Sequence, residues 1–284
     1  MLKLGLLGAS ATLGCTAGKN VIGDQAAVGQ ANRSSRSNLP NYQATGAELL
    51  ARTTPLEDGF FFPAEWEPHE YTIMAFPPAQ NWQGYGLEEA RQEWADVANA
   101  VSEFEPVLMV VQSADRRIAQ NLLNSEIELI EFPLNDAWSR DTGPMVLVNA
   151  AGERRIAGFT FNGWGQKFPP YEDDALLKAR LAATLEMPLY VTPLVLEGGA
   201  VALDGEGTII TTAECLLHPN RNPGLSRGEV EQVLKQYLGG EKVIWLERGL
   251  TPDPITDGHV DGICAIAAPG VVLLHQTDSN YKFK

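Results

Sequence analysis

From Met145 onward the chain runs through one order of elements repeatedly, and this recurrence limits the fold more than any other feature. Met145–Asn149 and Arg155–Asn162 read as strands joined at Ala151-Gly152. A helix over Asp173–Glu186 and a strand over Leu189–Leu196 follow. The order returns with strands Val201–Asp204 and Thr208–Thr212 across Gly205-Glu206-Gly207, a helix over Ser226–Leu238 stopped by Gly239-Gly240, and a strand over Lys242–Leu246. A third hairpin, Val260–Ala267 and Val271–His275, turns at Pro269-Gly270 and has no helix or closing strand after it. Upstream, Tyr71–Phe76, Val107–Val111 and Ile127–Phe132 read as strands. A helix over Leu87–Phe104 presents Leu87, Ala90, Trp94, Val97, Val101 and Phe104 on one face, and a shorter helix from Ser113 to Leu123 is capped by Ser113. A strand-strand-helix-strand unit recurring about every 60 residues is repeat architecture. It points to a repeat array whose last unit is unfinished in these 284 residues. Length alone leaves two domains, one large α/β domain or a repeat array open, and the recurrence selects the last.

Polar motifs follow the closing strands of successive units. After Ile127–Phe132 come Asn135, Asp136, Trp138, Arg140 and Asp141; after Leu189–Leu196 comes Glu197-Gly198-Gly199; after Lys242–Leu246 comes a loop ending in Asp257-Gly258-His259-Val260-Asp261. If the units surround a pseudosymmetry axis, equivalent strand ends meet at one mouth. Asp136, Asp141, Glu197, Asp257, His259 and Asp261 then share a pocket. Carboxylates forced together repel unless a cation lies among them. Guanidinium is a planar cation whose N–H forks match carboxylates in bidentate pairs. Trp138 offers a flat wall, and His259 a group suited to proton transfer near neutrality, with Glu197 beside it.

Each motif also has a bland reading. Asp136 and Asp141 can cap a turn, Gly198-Gly199 can mark one, and His259-Val260-Asp261 can be a structural hydrogen bond. Glu197, His259 and Asp261 can also be read as metal ligands, giving a metal-dependent hydrolase as a rival class, but His69, His218 and His275 lie in unrelated contexts. Cys215 and Cys264 fall in or beside apolar segments and read as core thiols. A cation-binding module without chemistry is a further alternative.

Met1–Gly18 carries one lysine, an apolar stretch from Leu4 to Leu13 and then small residues, as an export signal does. Leu13-Gly14-Cys15 resembles a lipobox, so Cys15 is a candidate lipid anchor. Export to the periplasm or a membrane-anchored lipoprotein is the expectation, a cytoplasmic protein the alternative. Residues 19–59 are expected to be a flexible linker and residues 60–284 an incomplete catalytic domain. With 36 acidic against 21 basic residues, a net charge of −15 argues against nucleic-acid or anionic-membrane partners. Three cysteines exclude a disulfide-dense scaffold.

Five motifs then resemble the agmatine deiminase/bacterial peptidylarginine deiminase family of the guanidino-modifying pentein superfamily. They are Phe62-Pro63-Ala64-Glu65-Trp66-Glu67-Pro68-His69-Glu70; Asn135-Asp136-x-Trp138-x-Arg140-Asp141-Thr142-Gly143-Pro144; Phe161-Asn162-Gly163-Trp164-Gly165; Leu196-Glu197-Gly198-Gly199; and Thr256-Asp257-Gly258-His259-Val260-Asp261, all in the family's order. The resemblance implies a pentein-type propeller of ββαβ units. It implies that Asp141 and Asp261 bind a guanidinium, that Trp138 lines the pocket, and that His259 is general acid/base supported by Glu197. It further implies a small cationic guanidino substrate, conversion of agmatine to N-carbamoylputrescine and ammonia in putrescine biosynthesis, no metal or organic cofactor, and attack by a cysteine thiolate. Peptidyl-arginine is the alternative substrate, and oligomeric state is left open. Two departures stand out. The family's nucleophile lies in a Gly-rich His-Cys segment near the C-terminus, which these residues lack, so the 284-residue chain alone is expected to be inactive. Ile255 stands where agmatine deiminases carry an acid.

Overall fold

The computed structural model describes residues 40–82 and 86–276. The signal, lipobox and Cys15 expectations lie outside these residues.

Strand β1 (Leu49–Leu50) precedes β2 (Thr72–Ala75), β3 (Val107–Val111) and β4 (Glu128–Glu131), and the last three form a parallel sheet in that order. Parallel neighbours need crossovers, supplied here by helices α1 (Leu87–Ser102) and α2 (Arg116–Leu122). All five residues of β3 are buried. Val107, Met109 and Val111 face Phe76, Ala98 and Ala119, while Leu108 and Val110 face Leu134, Leu177 and Leu181. A strand covered on both faces explains the unbroken apolar run.

The next two units repeat one pattern. The hairpin of β5 (Met145–Val148) and β6 (Arg154–Thr160) leads through α3 (Glu172–Thr184) to β7 (Leu189–Val195), which lies parallel to β6. The hairpin of β8 (Val201–Leu203) and β9 (Thr208–Thr212) leads through α4 (Arg227–Leu238) to β10 (Lys242–Leu246), parallel to β9. Helix α4 starts at a capping box of Ser226 and Glu229 and ends at Gly239 in the left-handed region, φ 73°. The core between these units joins Phe159, Tyr190 and Leu196 to Val201, Ile209, Val230 and Leu234. The hairpin of β11 (Cys264–Ala268) and β12 (Val271–Leu274) follows.

Three expectations need correction. Residues 40–59 are not wholly linker: Tyr42 is buried, and β1 adds in parallel to the outer edge of β7, because Leu49 packs against Ile156, Ala179 and Leu189. The buried face of α1 carries Ala90, Arg91, Ala95 and Ala98, whereas Val97 is 54% and Phe104 88% exposed. Small residues bring the helix close to the sheet, and Arg91 is drawn in by Asp115 at 2.6 Å and the Pro77 carbonyl at 2.9 Å. The strand expected from Val260 begins only at Cys264, since the Val260 carbonyl accepts from the N–H groups of Ile263 and Cys264 and closes a turn there.

Candidate active site

The polar motifs do converge. Ser139–Thr142 is a single helical turn after β4, and it sets Asp141 against the Glu197-Gly198-Gly199 segment that follows β7. The Gly199 N–H donates to Asp141 Oδ1 at 2.9 Å, and the Trp164 indole donates to Oδ2 at 2.9 Å. From the third unit, the Asp261 N–H donates to the Gly199 carbonyl at 3.1 Å, which ties the 257–261 loop to the same segment. Gly199 is the point where the three loops meet. A Cβ there would lie 2.5 Å from His259 Nδ1, 2.6 Å from Asp261 Oδ2 and 3.0 Å from Asp141 Oδ1. Only glycine leaves room for the three side chains together.

His259 is the hub. Its Nε2 lies 3.6 Å from Glu197 Oε2, and its Nδ1 lies 3.9 Å from Asp141 Oδ1 and 4.0 Å from Asp261 Oδ1. Burial alone would lower its pKa, but Cys215, Glu197 and Asp141 outweigh burial and raise it to about 11. The resting side chain is therefore imidazolium. Glu197 is fully buried; burial disfavours its charge, yet His259 and Arg221 hold its pKa below the ordinary value. Asp141 goes the other way, because burial exceeds the help from His259 and Trp164.

These groups open on a cavity of about 500 Å³ lined by Asp136, Trp138, Asp141, Trp164, Asp253 and Asp261, with Phe168, Ile255 and His259 also at its wall. Trp138 is 44% exposed at the rim, stacked on Trp82 with centroids 6.0 Å apart and held edge-on by Trp94 at 5.4 Å. The Trp82 indole donates to Asp136 Oδ1 at 2.9 Å, and burial raises the Asp136 pKa. Asp253 is pinned by its own loop: the Thr256 hydroxyl and the N–H groups of Thr256, Gly258 and Ile255 all donate to it, and these bonds outweigh burial to bring its pKa to about 2.

One expected member of the pocket is elsewhere. Asp257 turns away from the cavity to meet Lys167 at 2.5 Å and Arg221 at 2.9 Å. Arg221 itself gave no sign in the sequence beyond lying in a Pro/Asn-rich loop. Its side chain is fully buried, donating from Nε to Glu197 Oε1 at 2.7 Å, from Nη1 to Asp257 Oδ2 at 2.9 Å and from Nη2 to the Thr256 carbonyl at 3.1 Å. Cys215 is the core thiol expected from the sequence, but its nearness to His259 was not expected. It lies in the core on the far side of His259, and its sulfur, a Glu197 oxygen and a His259 nitrogen fall within 4.8 Å of one another, the group among the described residues able to hold a metal ion. Burial raises its pKa, and neither Cys215 nor Cys264 lines the cavity. A flat cation can sit between Asp141 and Asp261 against Trp138, with an imidazolium below it as proton donor.

Residues 61–283 match the Porphyromonas-type peptidyl-arginine deiminase family. A Vibrio parahaemolyticus protein named "Putative agmatine deiminase" is 46% identical over 231 residues, 80% of this chain and 64% of that protein. The structure of the agmatine deiminase of Enterococcus faecalis superposes with a TM-score of 0.78 at 38% identity, covering 83% of this chain and 66% of that one. A C. jejuni C315S agmatine deiminase with substrate bound superposes with a TM-score of 0.68 at 30% identity, over 75% of this chain and 63% of that one. The chain thus spans slightly less than two thirds of these relatives. By sequence and by pentein-type fold, the chain belongs to the Porphyromonas-type peptidyl-arginine deiminase family.

Proposed function

We propose that the site binds the guanidinium of agmatine and serves its hydrolytic deimination to N-carbamoylputrescine and ammonia. The observation that supports this best is the meeting of Asp141, Asp261, Glu197 and His259 at Gly199, beneath one cavity with an aromatic rim. Asp141 and Asp261 pair with the guanidinium N–H groups. Trp138, Trp164, Phe168 and Ile255 enclose the methylene stem. The relatives named as agmatine deiminases support the same substrate class.

In this reading the imidazolium of His259 gives a proton to the departing ammonia and, once neutral, takes one from the attacking water. Glu197 keeps the ring charged until substrate arrives, and Arg221 keeps Glu197 ionised. A guanidinium carbon is a poor electrophile, so binding and proton transfer need a strong nucleophile at the same carbon. The reading does not assign that role to Cys215 or Cys264, which lie outside the cavity.

Calorimetric titration of the chain tests the binding step without requiring turnover. Agmatine is expected to bind, and putrescine, which has the amine but no guanidinium, to bind at least about tenfold more weakly. Asp141→Asn and Asp261→Asn should each remove that difference. Equal affinity for both ligands would reject the guanidinium reading, and a strong preference for a peptidyl arginine would reject agmatine.

A further inference from the structure

We propose that Glu197, Cys215 and His259 form a buried site for Zn²⁺ that is antagonistic to guanidinium binding. The donor set is thiolate, imidazole and carboxylate, the combination that suits a borderline-soft, tetrahedral ion. All three residues are enclosed: Glu197 and Cys215 are 0% exposed and His259 4%. Glu197 Oε2 and His259 Nε2 are buried without a hydrogen-bond partner, facing each other at 3.6 Å. They meet as an ion pair too long for a hydrogen bond, so a metal ion bound by both atoms would replace a loose contact with two short bonds.

The spacing suits zinc. Bonds of about 2.0 to 2.3 Å set tetrahedral ligand atoms roughly 3.3 to 3.7 Å apart. The Nε2–Oε2 separation of 3.6 Å already meets this, and with all three donors inside 4.8 Å the sulfur must close by at most about 1 Å. Coordination replaces the Cys215 Sγ–H and His259 Nε2–H protons, both leaving to solvent.

The surroundings are those of a supported metal site. A metal-bound histidine commonly has a carboxylate behind its other nitrogen, and a ligating carboxylate is itself held by an outer donor. Here Nδ1 of His259 faces Asp141 and Asp261 at 3.9 and 4.0 Å. Glu197 Oε1 accepts from Arg221 Nε at 2.7 Å, leaving Oε2 as the ligand atom. The acid-lined cavity reaches His259 and raises the local concentration of cations beside the site. Antagonism follows from charge and from the ring. A dication under Asp141 and Asp261 repels a guanidinium, and a metallated Nε2 has no proton to give.

The antagonism rests on the guanidinium reading; the metal site does not, so each has its own measurement. Using the full chain with Cys15→Ser and Cys264→Ser, Cys215 is the sole thiol. Co²⁺ is expected to bind with a thiolate-to-metal charge-transfer band and intense tetrahedral d–d bands, and Zn²⁺ to displace it at one equivalent. X-ray absorption at the zinc edge should give one sulfur near about 2.3 Å with nitrogen and oxygen near about 2.0 Å, a readout that needs no variant at the site. Cys215→Ser and Glu197→Gln, checked for folding by thermal melting, should each weaken Zn²⁺ at least tenfold. A weakly coloured octahedral Co²⁺ spectrum, or zinc without a sulfur neighbour, overturns the site. Agmatine is expected to bind at least tenfold more weakly to the zinc-loaded protein than to the metal-free one. Unchanged agmatine affinity overturns the antagonism, whereas a metal-free protein that never binds agmatine counts against the substrate reading instead.

Discussion

Replacing Arg221 with glutamine should harm both stability and site, in a way that depends on pH with a defined sign. The guanidinium is fully buried and donates to Glu197, Asp257, Asn220 and the Thr256 carbonyl. Removing one member of a buried ion pair leaves its partner's charge uncompensated, which typically costs about 3 to 5 kcal/mol. For a domain of this size each kcal/mol lowers Tm by roughly 2 to 4 °C, so the expected drop is about 6 to 20 °C. The sign follows from Glu197. Its folded pKa lies below the ordinary 4.5, with burial outweighed by His259 and Arg221. The stability this supplies is fully present above 4.5 and is lost as pH falls through the folded value. Without Arg221 the folded pKa rises, and protonation relieves the buried charge at a less acidic pH. The stability gap between wild type and Arg221→Gln should therefore be widest near neutrality and narrow at about pH 4. Urea unfolding at both pH values measures it. A gap under about 1 kcal/mol at neutral pH, or one equally large in acid, would refute the argument that Arg221 exists to keep Glu197 charged.

Two further changes probe the site. Gly199→Ala puts a methyl 2.5 Å from His259 Nδ1 and 2.6 Å from Asp261 Oδ2. Those atoms must withdraw by most of an ångström, so agmatine affinity by calorimetry should fall roughly 100-fold for an overpacking cost of about 1 to 3 kcal/mol; an unchanged affinity defeats the convergence argument. Asp136→Asn tests which carboxylate meets the far amine of agmatine, given that Ile255 offers no charge and Asp253 is spent on its own loop. Burial raises the Asp136 pKa, and a cation held beside it would favour its charged form. The variant should lose affinity for agmatine but not for methylguanidine, and its Tm near neutrality should not fall; equal losses for both ligands would place the amine elsewhere.

The repeat was legible because its causes are local. Short apolar runs, the Ser226–Glu229 cap and the Gly239 stop all act within a few residues, and β3, β9 and β10 fall on their expected bounds. The meeting of the motifs could be read from the repeat alone, since equivalent strand ends face one axis. What failed to show depends on partners distant in sequence. Arg91 sits on the inner face of α1 because Asp115 waits there, and Leu49 becomes a strand only because β7 has a free edge. Asp257 looked like a pocket acid by its motif, yet Lys167 and Arg221, 90 and 36 residues away, turn it outward. Cys215 read correctly as a core thiol, but nothing local to it says that His259 packs above.

The charges form layers, and the layering explains how several carboxylates are held close together. At the back lie two buried cations, Arg221 on Glu197 and Lys178, whose ammonium donates to the Phe159 carbonyl at 2.9 Å. Burial lowers the Lys178 pKa to about 8, and the charges of Glu197 and Asp141 are what keep it from falling further. In the middle, His259 stands as imidazolium between Glu197 on one side and Asp141 and Asp261 on the other. The front layer of Asp141 and Asp261 is thus only partly neutralised, from behind, with its open side toward the cavity. Asp141 shows the residual strain: burial holds its pKa up even with His259 and Trp164 beside it. A cation entering from the front would relieve that strain, which His259 relieves only in part because its Nδ1 stands 3.9 Å from Asp141 Oδ1 and 4.0 Å from Asp261 Oδ1. In the proposed reading, cation binding is driven by this incomplete neutralisation of a buried carboxylate.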